Sequence, residues 1–271
     1  MKYKVGFSID VTHKNPFQLL EQAIEKKLDY IEFKADNPLI DPERVTQEKK
    51  KRLLDIISTT NIKVTYHGPY LGINLVGPGE WIVEASLKRI KSSIGFAAEL
   101  EAEYFLIHGG RIYHDYLVWD QILEKSWNEF VKNVDKLSSF ASKVGLEVVI
   151  ENTTPSTNTN LIDNVSRMHQ LIEELENIGL VVDIGHLNLT SNVYSIEKAI
   201  KNDYFREHLK GFHIHNNNGK KDEHLSFNNG KVDYQRLKQN VFSALKDKIY
   251  ICEVGTVCES VAFKNFLEKI N

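Results

Sequence analysis

Eight short apolar, β-branched runs recur along the chain, each stopping at a polar residue: Tyr3–Ile9, Tyr30–Phe33, Lys63–His67, Tyr104–His108, Glu147–Glu151, Leu180–Asp183, Gly211–His215 and Ile249–Glu253. The stretches between them are long enough for helices. Strands alternating with helices predict βαβ units and a parallel sheet. Apolar residues at three and four spacing predict helices over Pro16–Lys27, Trp81–Leu100 and Ile122–Val144, with shorter ones at Asn164–Glu176, Ser195–Lys201 and Val261–Ile270. A helix over Asp41–Thr60 is expected to open on Pro42, whose missing N–H costs nothing there, with Glu43 near the positive end of the dipole. Eight strands separated by helix-length stretches favour one closed (β/α)8 TIM barrel, although strand order is not legible in the sequence. The 271 residues agree with the about 250 that such a barrel needs.

Composition narrows the class. With 42% hydrophobic residues the chain can fill one core, and no Ser/Pro/Gly-rich linker, charge block or short repeat divides it, so a single domain over 1–271 is expected. No apolar run approaches the roughly 20 residues of a membrane span, and the amino terminus enters a strand directly, so a soluble, cytoplasmic protein without a membrane partner is expected. Cys252 and Cys258 are the only cysteines, and Cys252 lies inside a strand, which argues against a disulfide framework. A net charge of −3 gives no global attraction to nucleic acid.

The chemistry lies in the stops. Six are potential metal ligands: His67, His108, Glu151, Asp183, His213 and Glu253. In a parallel barrel the strand ends gather at the rim where TIM barrels keep their active sites. Side chains two apart share a face, so Glu151 points the same way as Val149 and His108 the same way as Leu106. A carboxylate after Val148–Val149–Ile150 is costly to bury unless paired or metal-bound. One such residue would mean little; six on successive strands predict a cluster. Imidazoles with carboxylates suit zinc, manganese, cobalt or iron better than magnesium or an iron–sulfur centre. Asp183-Ile-Gly-His186 adds an acid and an imidazole three apart, with Gly185 expected to permit a sharp turn, and Asp222-Glu-His224 repeats the pairing after the seventh strand. His215 shares a face with His213, so one is expected to bind metal and the other to line the pocket or pack beneath it. Tyr70 is a candidate for an aromatic pocket wall, while Trp81 is expected to pack within its helix. Lys220, beside Lys221, is a candidate for holding a substrate phosphate. His13, His114, His169 and His208 fall outside the strand-end pattern.

The motifs His67-Gly-Pro-Tyr-Leu-Gly-Ile-Asn-Leu75, His108-Gly-Gly, Glu151-Asn-Thr, Asp183-Ile-Gly-His186, His213-Ile-His-Asn, Asp222-Glu-His224 and Cys252-Glu253 resemble the superfamily of xylose-isomerase-like TIM barrels, which includes sugar and sugar phosphate isomerases and epimerases and endonuclease IV. The resemblance runs in order through strands three to eight. By resemblance to endonuclease IV, His67, His108 and Glu151 would hold one zinc, Glu151 would bridge to a second held by Asp183, His213 and Glu253, and His186, Asp222 and His224 would hold a third; that implies a phosphodiesterase acting on abasic DNA. By resemblance to the isomerase and epimerase branch, Glu151, Asp183, His213 and Glu253 would hold one divalent metal, His186 would touch substrate oxygens, and Glu151 with Glu253 would remove and return a proton beside a carbonyl. The cofactor implied is one to three divalent ions, zinc, manganese or cobalt.

Departures favour the second branch. Ser8-Ile-Asp-Val-Thr-His13 replaces a Gly-rich loop with His-Val-Ser, Glu223 stands where the DNA enzyme has a basic residue, Asn228-Asn-Gly230 replaces Gly-Glu-Gly, and Asn216 replaces an acid. Tyr70-Leu71 resembles the DNA-probing pair of endonuclease IV, but Pro-Tyr-Leu also occurs in relatives without known DNA activity. The sequence therefore predicts a metal-dependent isomerase or epimerase with a small sugar or sugar phosphate as partner, with a DNA-cleaving enzyme as the alternative and a non-catalytic metal or ligand-binding barrel third. Oligomeric state is not readable.

Overall fold

In the computed structural model, which describes residues 2–77, 79–154, 159–190 and 193–269, period-two runs become eight parallel strands. They are β1 (Lys4–Ile9), β2 (Tyr30–Lys34), β3 (Lys63–His67), β4 (Phe105–His108), β5 (Val148–Glu151), β6 (Gly179–Asp183), β7 (Leu209–Ile214) and β8 (Ile249–Cys252). Each pairs with its sequence neighbour and β8 pairs with β1, which closes the barrel and leaves it without an edge. The register sets rim residues side by side: Lys34 faces His67, His108 faces Glu151, and Asp183 faces His213.

Alternation divides the apolar residues into two cores. Tyr30, Tyr104, Leu106, Val149, Val181, Ile249 and Ile251 form one buried cluster that plugs the barrel interior. The residues between them in sequence, such as Ile31, Phe105, Val148, Ile150, Val182 and Tyr250, belong to the larger cluster between strands and helices. Continuing the interior parity by two residues leads from Leu106 to His108, from Val149 to Glu151 and from Val181 to Asp183. Packing thus aims the polar side chains at one mouth.

The helices are α1 (Pro16–Glu25), α2 (Gln47–Thr59), α3 (Glu80–Glu99), α4 (Ile122–Ser142), α5 (Val165–Glu174), α6 (Ile184–Thr190), α7 (Ser195–Ala199), α8 (Asp203–His208), α9 (Tyr234–Asn240) and α10 (Val257–Glu268). The helix expected from Asp41 begins at Gln47, where Thr46 Oγ1 caps Lys49 N. The preceding residues form a corner, because Asp41 Oδ1 accepts from Glu43 N and Arg89 pairs with Asp36 at 3.0 Å and reaches Asp41 at 3.8 Å. The helix expected over Val261–Ile270 starts earlier, at Val257 behind a Thr256 cap, and Ile270 lies outside the described residues. Helices α6, α8 and α9, each under eight residues, were not predicted, whereas the equally short α7 was. A two-stranded ribbon, Arg111–Ile112 against Thr159–Asn160, stands beyond β4 and β5. Cys252 is buried and Cys258 exposed, both free. Among the described residues no helix is long and apolar enough to cross a membrane.

Candidate metal centre

All six strand-end stops meet at the mouth, and all but the half-buried His108 are buried. They fall into adjoining groups. In the first, His67 Nε2 and His108 Nε2 are 3.1 Å apart, and Glu151 Oε2 stands 3.0 Å from His108 Nε2 and 3.5 Å from His67 Nε2. Ligands about 2.0–2.1 Å from a tetrahedral ion are about 3.3 Å from one another, so this triangle has the size of one face of a zinc site. The other oxygen, Glu151 Oε1, turns to a second group: His213 Nδ1 lies 2.7 Å from it, 3.0 Å from Glu253 Oε1 and 3.9 Å from Asp183 Oδ2. Glu151 is therefore shared between the two. The third group comprises His186, His215, Asp222 and His224, with Asp222 Oδ2 at 3.5 Å from His186 Nε2 and 3.1 Å from His224 Nε2.

Two observations fit these groups to divalent ions. Asp183 Oδ2 is buried without a hydrogen-bond partner, and Glu151 Oε2 meets only the imidazole nitrogens of His108 and His67, a costly state for carboxylates that coordination would relieve. Four imidazoles also commit one nitrogen to an oxygen and turn the other toward the cluster: His67 Nδ1 to Gly68 O, His186 Nδ1 to Asn152 O, His224 Nδ1 to the Glu253 carbonyl, and His213 Nε2 to Glu32 Oε2. Such a partner fixes ring orientation and tautomer in metal-binding histidines.

Local chemistry holds these side chains in place. Asn152 Nδ2 donates to Asp183 O and Asp183 N donates to Asn152 Oδ1, which ties the ends of β5 and β6 together. Asp183 Oδ1 then accepts from His186 N at 2.6 Å and starts α6. Gly185 was expected to make a sharp turn, but it lies inside α6. Its hydrogen is needed for a different reason: a Cβ there would fall 2.0 Å from His215 Cε1. After β7, Asn216 organises the loop, its Nδ2 donating to Phe227 O and its Oδ1 accepting from Val232 N, while Glu223 caps Asn218 N at 2.8 Å.

Charges follow from this packing. Burial works against ionisation of Glu151, but His213 and His108 hold its carboxyl well below the usual range. Burial likewise opposes the charge on Glu253, which Lys34 and His213 nevertheless keep well below that range. For His186, burial is outweighed by Asp183, Asp222 and Glu151, which push the imidazolium up to about 10. Burial is also outweighed at His224, where Asp222 and Glu253 raise it to about 9. Burial lowers His108, against the pull of Glu151.

Sequence reasoning missed two members of the mouth. Glu32 is fully buried, accepts from Ser8 Oγ at 3.0 Å and faces His213 Nε2 at 3.1 Å. Lys34 is buried with Nζ 2.5 Å from Glu253 Oε1. Both continue the parity of Tyr30, and an acid inside Tyr-Ile-Glu-Phe was the available signal.

A pocket of about 270 Å³ opens against the cluster, with Tyr70, His108, His186, Asp222, Ile73, Leu75 and Arg111 on its walls. Tyr70 takes its expected place there. His215 is fully buried and is not a wall residue; its ring stacks 4.1 Å from that of His224, and its Nε2 lies 3.1 Å from Asp183 Oδ1. Lys220 is exposed and does not line the pocket. Trp81 neither packs nor lines it: it lies in the first turn of α3, 86% exposed. Of the remaining histidines, His13 bonds Asp10 N, His169 Asn202 Nδ2, and His208 the carbonyl of Tyr204.

The family model of the xylose isomerase-like TIM barrel matches residues 20–263. The chain belongs to this family. A Methanocaldococcus jannaschii protein named only as uncharacterised is 27% identical over 242 residues, 89% of this chain and 88% of its own length. Among solved structures of this xylose isomerase-like fold, a D-tagatose 3-epimerase-like protein superposes with a TM-score of 0.80 at 19% identity, covering 99% of this chain and 96% of that one. Endonuclease IV from Thermus thermophilus superposes with a TM-score of 0.69 at 18% identity over 97% and 96% of the two chains. The two structural likenesses establish the fold that epimerases and the DNA enzyme share.

Proposed function

We propose that the protein is a divalent-metal-dependent isomerase or epimerase of a small sugar or sugar phosphate, with Glu151 and Glu253 as the proton-transfer pair. One observation carries this reading: two buried carboxylates converge, Glu151 Oε1 and Glu253 Oε1 standing 2.7 and 3.0 Å from the single atom His213 Nδ1. Zinc, manganese or cobalt suits the donor set, and the groups would hold one to three ions. A bound ion supplies Lewis acidity that polarises a carbonyl and its neighbouring hydroxyl and acidifies the C–H between them. Glu151 and Glu253 would accept that proton and return it; the neighbouring His213, His108 and Lys34 hold both carboxyls in the deprotonated form that a base requires. Lys34 holds Glu253 in place, His186 bonds substrate oxygens from the pocket wall, and Tyr70 covers one side. The adjoining cavity of about 270 Å³ offers a small polyol the polar groups of Tyr70, His108, His186 and Asp222.

A second reading, an endonuclease IV-like phosphodiesterase, draws on the shared Glu151 and on the third group around Asp222, which together reproduce the ligand types of a trinuclear zinc site. Elemental analysis of metal-reconstituted protein, with an abasic-site duplex offered at low salt, tests the choice. The proposal expects at least one tightly held ion and negligible incision. Substoichiometric metal, or robust incision that disappears in His108→Ala and Asp222→Ala, would overturn it.

A further inference from the structure

The His108-Gly-Gly-Arg111 segment carries a feature that ligand chemistry leaves unused. A Cβ at Gly109 would come within 2.9 Å of Ile162, and one at Gly110 within 2.9 Å of Val76, so the two glycines let the chain leave β4 pressed between these neighbours. It then enters the ribbon at Arg111. Asn74, itself buried, grips that residue with both ends of its amide: Nδ2 donates to Arg111 O at 2.7 Å and Oδ1 accepts from Arg111 N at 3.0 Å, while Oδ1 also accepts from Val76 N at 3.4 Å. Pairing with Asn160 fixes the other side. The position of Arg111 is thus set through its backbone from two directions.

Arg111 lines the pocket beside the metal-ligating cluster, and among the described residues it is the only lysine or arginine that does so. It also borders the smaller cavity next to Val76 and Tyr113. Among the described residues it is in none of the ion pairs, whereas Lys34, Arg89 and Arg236 are each matched with acids. The mouth itself is strongly acidic, holding Glu32, Glu151, Asp183, Asp222 and Glu253. Ions bound in the cluster would offset much of that charge, and a cation set outside it gives an anionic group a partner that does not compete with the carboxylates. A guanidinium is suited to that task because its planar fork matches phosphate and carboxylate oxygens in pairs.

We propose that Arg111 is an oxyanion-binding residue, so that the pocket takes a small polyol bearing a phosphate or carboxylate, the anion on Arg111 and the hydroxyl-bearing end toward His108, His186 and Asp222. This rests on the isomerase or epimerase reading for the polyol half of the ligand. It shifts phosphate recognition from Lys220, which is exposed, to the ribbon after β4.

Isothermal titration of metal-loaded protein with glycerol 3-phosphate, glycerate and glycerol separates the sources. At least one anion should bind about tenfold or more tighter than glycerol, phosphate or carboxylate being identified by which does. Arg111→Gln should lose about that factor, with metal content and unfolding midpoint unchanged, and Arg111→Lys should keep part of it. Equal binding of anion by wild type and Arg111→Gln, or equal binding of anion and glycerol by wild type, would overturn the assignment. Anion binding that depends on Arg111 in a protein that never exchanges a substrate proton would refute the reaction and leave the anion site standing. Wild-type proton exchange with anion binding indifferent to Arg111→Gln would do the reverse.

Discussion

Lys34 Nζ lies 2.5 Å from Glu253 Oε1, and both side chains are buried at the barrel mouth. Removing one partner of a buried pair costs up to about 3–5 kcal/mol, here moderated by His213 Nδ1, which stays 3.0 Å from Glu253 Oε1. Lys34→Met should therefore destabilise chelator-treated protein by up to that amount, and metal-reconstituted protein by clearly less, because an ion at Glu253 would replace the lost charge. Urea unfolding under the two conditions measures both. Equal losses would show that Glu253 does not share its charge with a metal.

Glu32 tests how His213 is held. Its carboxylate takes His213 Nε2 while Ser8 Oγ donates to it, so Glu32→Gln preserves shape but weakens the acceptor that orients His213. Loss of such a partner typically lowers metal affinity about 10–100-fold. Competition with a chromogenic chelator should show this with little change in the circular dichroism spectrum, whereas unchanged affinity would remove Glu32 from the site.

Metal-free protein should lose stability on the alkaline side. His186 and His224 rise from 6.5 to about 10 and about 9, so their contribution is complete below about pH 6.5 and disappears as pH climbs through those values. Metal-loaded protein should show the opposite trend toward about pH 8, since ions bind neutral imidazole and release these protons. Chemical denaturation at about pH 6.5, 8 and 9.5, with and without chelator, checks the signs; parallel profiles would contradict them.

Much of the mouth was legible because period-two packing and strand ends coincide: His108, Glu151 and Asp183 each follow an interior apolar residue by two. Glu32 and Lys34 were not, since Glu32 interrupts its run and Lys34 follows Phe33, which is the last apolar residue. Gly185 was read as a turn because a glycine's role depends on what approaches it, and His215 is distant in sequence and adjacent only in the fold. The start of α2 was misplaced for a similar reason: Arg89, from α3, holds Asp36 and Asp41 in a corner that no local signal records.

That contact between Gly185 and His215 gives a further expectation. Gly185→Ala would place a methyl 2.0 Å from a fully buried ring, so the ring or α6 must move. Overpacking of this kind costs about 1–3 kcal/mol. Denaturation midpoints should fall accordingly, and a neutral effect would place His215 elsewhere.

Proton exchange is the most direct measurement of the proposed chemistry. Metal-loaded protein would be incubated in deuterated water with a panel of ketoses, ketose phosphates and sugar acids, and each recovered substrate examined by NMR and mass spectrometry. Deuterium should enter one substrate at a carbon next to the carbonyl, and Glu151→Gln and Glu253→Gln should reduce its rate at least about a hundredfold while remaining folded. No incorporation into any member of the panel by fully metal-loaded protein, or incorporation that both variants retain at the wild-type rate, would contradict the assignment of Glu151 and Glu253 as the proton-transfer pair.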